Sequence, residues 1–230
     1  MPRELGGVEH RVELAEVLVS DAMSSTAAAL AGLASERGLP HVNERDHLQP
    51  AFSKALRAVV RASGTRAVVS PRLAVDWDEW PGVGNFDASL AFEGRVLVYV
   101  ELKCGARADA LGPCAWDAAK SALALARGAE GAFLLAGAPE GSWKRPVRGA
   151  EFFDGGEWTM LDLRERYADW WRHWERHGDP VPRRLPHCLE TRPVASASFA
   201  VAGAPWRLRL SRLALADPRW IDWTPFLSRR

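Results

Sequence analysis

Glu101 and Lys103 stand at the end of an apolar run, Val96–Val100, and Asp87 lies about one strand earlier, in the stretch "GNFDASLAFEGRVLVYVELKCG" (residues 84–105). Charged side chains at the end of a buried strand are costly unless they are paired or bound to a cation. Two strands are expected here, "NFDASLAF" (85–92) and "RVLVYVELK" (95–103), joined at Glu93-Gly94. Alternation puts Phe86, Ala88, Leu90 and Phe92 on one face and Asp87 with Ser89 on the other. In the second strand Val96, Val98, Val100 and Leu102 share a face opposite Tyr99, Glu101 and Lys103. Pairing the two apolar faces requires an even sum of partner numbers, such as Phe92 with Val96, and then Asp87 lies across from Glu101. A strict two-residue turn would pair Phe92 with Arg95 and separate the carboxylates. A three- or five-residue loop, or a bulge, is therefore expected.

Two carboxylates meeting on one face repel unless a cation sits between them. Hard oxygen donors with room for water suit Mg2+ or Mn2+. Such an ion polarises a phosphoryl group and lowers the pKa of a bound water. A lysine beside it can orient that water or neutralise charge developing on the phosphate. The chemistry suited to Asp87, Glu101 and Lys103 is metal-assisted phosphodiester hydrolysis. The chain has only four lysines against twenty-six arginines, so a lysine at 103 suggests that a compact ammonium is wanted. The competing reading is a surface Glu101–Lys103 ion pair, with Asp87 belonging to the turn chemistry of "GVGNFD".

The elements that would position these residues can be read along the chain. Residues 8–36 read as one or two helices ending at "RGLP". A helix over 46–62 carries Leu48, Phe52, Leu56 and Val59 at helical spacing, with Pro50 near its first turn. A strand over 65–77 precedes the two already named, and a helix over 113–127 and a buried strand over 131–139 follow. Beyond residue 150, Thr159 can cap a helix running to Gly178, with Leu163, Tyr167, Trp170 and Trp174 on one face. Residues 195–214 read as a hairpin turning at "AGAP". The organisation expected is an N-terminal helical segment (1–40), a core (41–150) and a Trp- and Arg-rich extension (151–230).

Asp87, thirteen intervening residues and then Glu101-Leu102-Lys103 resemble the D…(D/E)xK signature of the PD-(D/E)xK nuclease superfamily. The helix, three strands, helix, strand order over about residues 44–139 is similar to that family's core. The resemblance implies an α/β, restriction-endonuclease-like core, a mixed sheet flanked by helices, with an α+β C-terminal extension. It makes Asp87 and Glu101 metal-binding acids, the Leu102 carbonyl a further ligand and Lys103 the motif lysine. Many members add an acid on the first core helix, which Glu44 or Asp46 would supply. Phe86 stands where the motif has proline. Lys120, on the second core helix, either faces the site and contacts phosphate or is solvated. The implied activity is Mg2+-dependent (or Mn2+-dependent) endonucleolytic cleavage of nucleic acid, DNA in the first instance, in restriction, defence or repair. The alternative is a non-catalytic module of this fold that binds nucleic acid or a protein partner.

Composition bounds the partners. In 230 residues, 47% are apolar and 26% charged, as in soluble globular proteins, and the net charge of +1 offers no global basic field. From Pro182 to Arg230, however, nine arginines face three acids. Arg207, Arg209 and Arg212 read as a row that could hold phosphates, against the alternative of a solvated surface. No apolar run is expected to reach the length of a membrane span, and "MPRELGGVEHRVELAE" has acids where a signal peptide is apolar, so no membrane partner is expected. Three cysteines without a CxxC pair suggest the reducing cytoplasm. A homodimer or a partner protein is left open. The eleven tryptophans read as core residues, with a base-stacking surface as the sharper option. His173 and His177 have zinc-compatible spacing but no third ligand, and Cys188 beside His187 reads as a bystander.

Overall fold

In the computed structural model, residues 8–107, 109–144, 148–169, 171–172 and 181–223 are described. Helix α1 (Val8–Arg37) is a single helix, not two. Its buried residues run Val12, Ala15, Leu18, Val19, Ala22, Met23, Thr26, Ala27, Leu30 and Ala34, the three-and-four spacing of one helical face. Thr26 is tolerated there because its hydroxyl donates to the Ala22 carbonyl at 2.6 Å. Contrary to the sequence expectation, α1 holds an 18-residue window of mean hydropathy 1.4, long and apolar enough to cross a membrane by length and composition, although 44% of it is buried inside the protein. The reason is the small-residue stretch "AMSSTAAALAGLA", which carries no charge.

A π-helical turn, Glu44–Leu48, leads directly into α2 (Gln49–Ala62), with Pro50 in the first turn as expected. Asn43 caps the turn by accepting from the Asp46 N–H at 2.8 Å. The helical backbone therefore begins at Glu44, so this side chain is fixed at the start of α2 instead of trailing in a loop.

The strands are β1 (Ala67–Trp77), β2 (Trp80–Phe92), β3 (Arg95–Cys104), β4 (Gly131–Pro139), β5 (Gly156–Thr159), β6 (Arg184–Val201) and β7 (Ala204–Asp222). Among the described residues they form one seven-stranded sheet in the order β1-β2-β3-β4-β7-β6-β5. Among the described residues only β3 and β4 pair in parallel, and α3 (Cys114–Ala126) is the crossover that parallel pairing requires. The protein is thus α/β, a mixed sheet flanked by helices. The C-terminal part continues this sheet, because β7 pairs with β4.

Alternation along β4 divides the core in two. Phe133 and Leu135 pack with α1, α2 and the Ala88, Leu90, Val100 and Leu102 face. Ala132, Leu134 and Ala136 pack with α3, α4 (Met160–Arg166) and a cluster of tryptophans. Each large apolar side chain removed from water, such as Phe52 or Leu56, contributes about 1.5–3 kcal/mol. Trp80, Trp116, Trp171 and Trp223 contact one another with ring centroids 4.6–6.3 Å apart, as the core reading required. Trp170, Trp174, His173 and His177 lie outside the described residues.

The β2–β3 hairpin takes the bulge that was one of the expected alternatives, and only the Phe92–Val96 pairing differs. Its turn is the two-residue Glu93-Gly94, both in the left-handed region at φ 52° and 80°, so Phe92 pairs with Arg95 and not with Val96. A bulge at residue 97 then restores the even sum, and Leu90–Val98, Ser89–Tyr99 and Ala88–Val100 are paired as the apolar faces demand. Phe86 departs from its expected face. Its ring lies 4.3 Å from Tyr99 and 4.7 Å from Lys120 Nζ, on the α3 side, whereas Ala88 packs on the α1/α2 side.

Candidate active site

The β2–β3 ladder ends at Ala88–Val100, which makes Asp87 and Glu101 the first residues beyond it. The β1–β2 ladder is interrupted at the same level, with Pro71–Ala88 and Leu73–Phe86 paired but no Arg72–Asp87 rung. Arg72 is left-handed at φ 51°, a conformation that a side chain adopts only at a cost of about 1 kcal/mol or more. Freed from regular pairing, the Asp87 side chain turns into the fork between β2 and β3. Its Oδ2 accepts from the Leu102 N–H at 2.8 Å and its Oδ1 from Gln49 Nε2 at 2.6 Å. The same Gln49 amide donates to Glu44 Oε1 at 3.3 Å, tying the start of α2 to the fork.

Glu101 is 2% exposed and forms an ion pair with Lys120 of α3, itself 4% exposed. Lys120 also donates to the Asn85 carbonyl at 2.7 Å and lies over the Phe86 ring. Lys103 Nζ stands 3.1 Å from Asp117 Oδ2, 3.5 Å from Glu44 Oε2 and 3.2 Å from the Leu102 carbonyl oxygen. The surface Glu101–Lys103 pair is therefore not what forms. Glu101 is buried, and the two lysines hold different acids.

Four carboxylates (Glu44, Asp87, Glu101, Asp117) share this region with two ammonium groups, which leaves a formal surplus of two negative charges. The ionisation of each group reflects that surplus. Burial pushes the Glu101 carboxyl well above the carboxylate range, opposed by Lys120, with Asp117 and Asp87 raising it further. Burial also brings Glu44 up to about 6, opposed by Lys103 and reinforced by Asp87 and Asp117. Burial alone would lower the pKa of Lys103, but Asp117, Glu44, Glu101 and Asp87 outweigh it and hold the group as an ammonium.

Oxygen donors of this kind are what a hard divalent cation would take. Glu101 Oε1 lies against Lys120 Nζ and Asp117 Oδ2 stands 3.1 Å from Lys103 Nζ, so each of these buried oxygens has an ammonium as its present partner. Among the described residues no three His, Cys, Asp or Glu side chains converge on a point. A Mg2+ site does not need three, since one or two carboxylates completed by water and phosphate oxygens suffice. Asp87 and Glu101, with the Leu102 carbonyl, are the residues that would hold it.

The other expected residues are placed as follows. Glu44 joins the cluster, whereas Asp46 is exposed and bonded to the Asn43 side chain at 3.1 Å. Lys120 faces the cluster and is not solvated. Arg207, Arg209 and Arg212 do not form one row. Arg207 and Arg209 pair in register with Ala138 and Ala136 on the α3 face, and Arg212 with Phe133 on the opposite face. Each meets an acid: Arg207 with Glu140 at 2.9 Å, Arg209 with Asp154 at 2.8 Å, Arg212 with Glu16 at 3.4 Å. Cys188 is buried, and burial raises its thiol pKa. Asp117 was not foreseen. Its signal is the "DAAK" spacing on α3, which puts Asp117 and Lys120 on one helical face.

Comparison of the chain with protein-family models, with curated proteins and with solved structures gives no match.

Proposed function

We propose that this protein is a Mg2+- or Mn2+-dependent nuclease with a restriction-endonuclease-like core, hydrolysing phosphodiester bonds of nucleic acid, DNA in the first instance. The observation that carries the reading is the fork itself: Asp87 and Glu101 lie just past the last β2–β3 rung, with Lys103 two residues on. The run α2, β1, β2, β3, α3, β4, an antiparallel three-strand unit followed by a parallel crossover, agrees with the core that the D…ExK resemblance implies. The bound ion would supply Lewis-acid activation of the phosphate and of a water.

The chain's own residues do the rest. Gln49 and the Leu102 N–H orient Asp87. Lys103, kept charged by four acids, offers its ammonium to a non-bridging phosphate oxygen as negative charge builds there. Glu44, poised near pH 6, can take or return a proton at the mouth of the fork. Restriction, phage defence and DNA repair are the settings such an activity serves.

A second reading is favoured by one observation. Glu101 and Asp117 already have ammonium partners, so a non-catalytic module of this fold could use the cluster as buried structural ion pairs. The two readings separate in a cleavage assay on supercoiled plasmid, linear duplex, single-stranded DNA and RNA, with Mg2+, Mn2+ or chelator. Divalent-dependent cleavage of at least one substrate is expected. Absence of cleavage across the panel, with nucleic-acid binding retained, would favour the module.

A further inference from the structure

We propose that Arg45 and Arg72 form a phosphate clamp at the mouth of the fork, and that a nucleic-acid strand enters from the β1/α2 side and not across the C-terminal arginines. This rests on the nuclease reading for its direction and deepens it by naming the substrate-binding surface. Glu44, Arg45, Gln49, Arg72, Asn85 and Asp87 line a pocket of about 320 Å3, so the two arginines open onto the same space as two of the cluster acids.

Arginines beside carboxylates ordinarily pair with them, but here the oxygens are already engaged. Asp87 accepts from Gln49 and from the Leu102 N–H, and Glu44 meets Gln49 and Lys103. Among the described residues the side chains of Arg45 and Arg72 have neither a hydrogen bond nor an ion pair, and both residues are exposed. They are guanidiniums positioned at an acidic cluster without acids of their own. An anionic ligand entering this pocket meets them beside Glu44 and Asp87, and a planar guanidinium matches a phosphodiester's two non-bridging oxygens.

Two further features agree. Arg72 holds a left-handed backbone on the edge strand, where glycine would be unstrained, at the level where the β1–β2 ladder lacks its Asp87 rung. Arg207, Arg209 and Arg212, which sequence reasoning favoured for this role, are each held by an acid and split between two faces.

The test measures affinity for a fluorescein-labelled DNA duplex and its single strand by anisotropy over a range of salt, with Ca2+ in place of Mg2+. The proteins are the parent, Arg45→Ala/Arg72→Gly and Arg207→Ala/Arg209→Ala/Arg212→Ala. Glycine at 72 suits the local backbone, so the first variant is expected to fold. Losing two phosphate contacts should flatten the slope of log affinity against log salt by about 1.8 for duplex or about 1.4 for single strand. Affinity should fall at least about tenfold. The C-terminal triple variant should keep the parent's slope. Unchanged slope and affinity in Arg45→Ala/Arg72→Gly, or loss only in the triple variant, would overturn the clamp, as would failure of the parent to bind either DNA. Parallel cleavage in Mg2+ separates the two ideas. Clamp-dependent binding without cleavage would leave the clamp standing and remove the hydrolytic reading; cleavage that ignores both arginines would do the reverse.

Discussion

Lys120→Met and Glu101→Gln break the same ion pair, yet the first should destabilise the protein far more. In the cluster four carboxylates face two ammonium groups. Removing Lys120 widens the imbalance and leaves Glu101, 2% exposed, without its cation. Breaking a buried pair in this sense costs about 3–5 kcal/mol. Removing the Glu101 charge narrows the imbalance. Lys120 then keeps the Asn85 carbonyl at 2.7 Å and the Phe86 ring at 4.7 Å, so the cost should be about 1–2 kcal/mol. For a chain of this size those losses correspond to roughly 6–20 °C and 2–8 °C in Tm. The double variant Glu101→Gln/Lys120→Met should lose at least about 2 kcal/mol less than the sum of the single variants, because neither charge is stranded in it. The assay is urea unfolding followed by circular dichroism in chelator, with equal m-values required before the midpoints are compared. Lowering the pH should shrink the Lys120→Met loss, since protonation removes the stranded Glu101 charge, whose pKa burial has already raised. A Lys120→Met loss no larger than that of Glu101→Gln, or strict additivity in the double variant, would refute the reasoning.

Further outcomes are expected from the same geometry. The folded state raises the Glu44 pKa from 4.5 to about 6, so the stabilisation linked to its proton is complete below about pH 4.5 and lost as pH rises through about 6. Glu44→Gln should therefore be more stable than the parent at about pH 7, by on the order of 1–2 kcal/mol, with the gap closing towards about pH 4 in urea titrations. Asp87→Asn should abolish cleavage and lose most of the Mg2+-induced rise in Tm that the parent shows by mass action; an undiminished rise would remove Asp87 from the ion's ligands. A Cβ at Gly149, which has φ 93°, would stand 1.9 Å from the Leu111 carbonyl oxygen. Gly149→Ala should thus cost about 3 kcal/mol or more, read as a lowered denaturation midpoint.

Much of the site's scaffold was legible in the sequence. The run "GAFLLAGAP" reads as a strand buried on both faces, and β4 has those bounds. The apolar alternation of β2 and β3 required an even register, and the bulge at residue 97 supplies it despite a two-residue turn. Asp117 was hidden because an acid three residues before a lysine on a helix also describes an ordinary solvated pair. Phe86 was misassigned because strict alternation fails where the Arg72–Asp87 rung is missing. The hairpin expected over 195–214 runs longer, its strands spanning Arg184–Val201 and Ala204–Asp222, and it includes Pro186 and Pro193. In β6 both stand beside register shifts, where a strand tolerates proline. Arg212 fell on the wrong face because its row was inferred from nearness in sequence. The side-chain period puts Arg207 and Arg209 together and Arg212 opposite.

The claim on which the rest depends is that the β2–β3 fork binds a divalent cation through Asp87 and Glu101. Anomalous diffraction from Mn2+-soaked crystals tests it most directly. A manganese peak in contact with both carboxylates and the Leu102 carbonyl, with Lys120 displaced from Glu101, is the expected result. A fork without anomalous density at saturating Mn2+, its Glu101–Lys120 pair intact, would contradict the account.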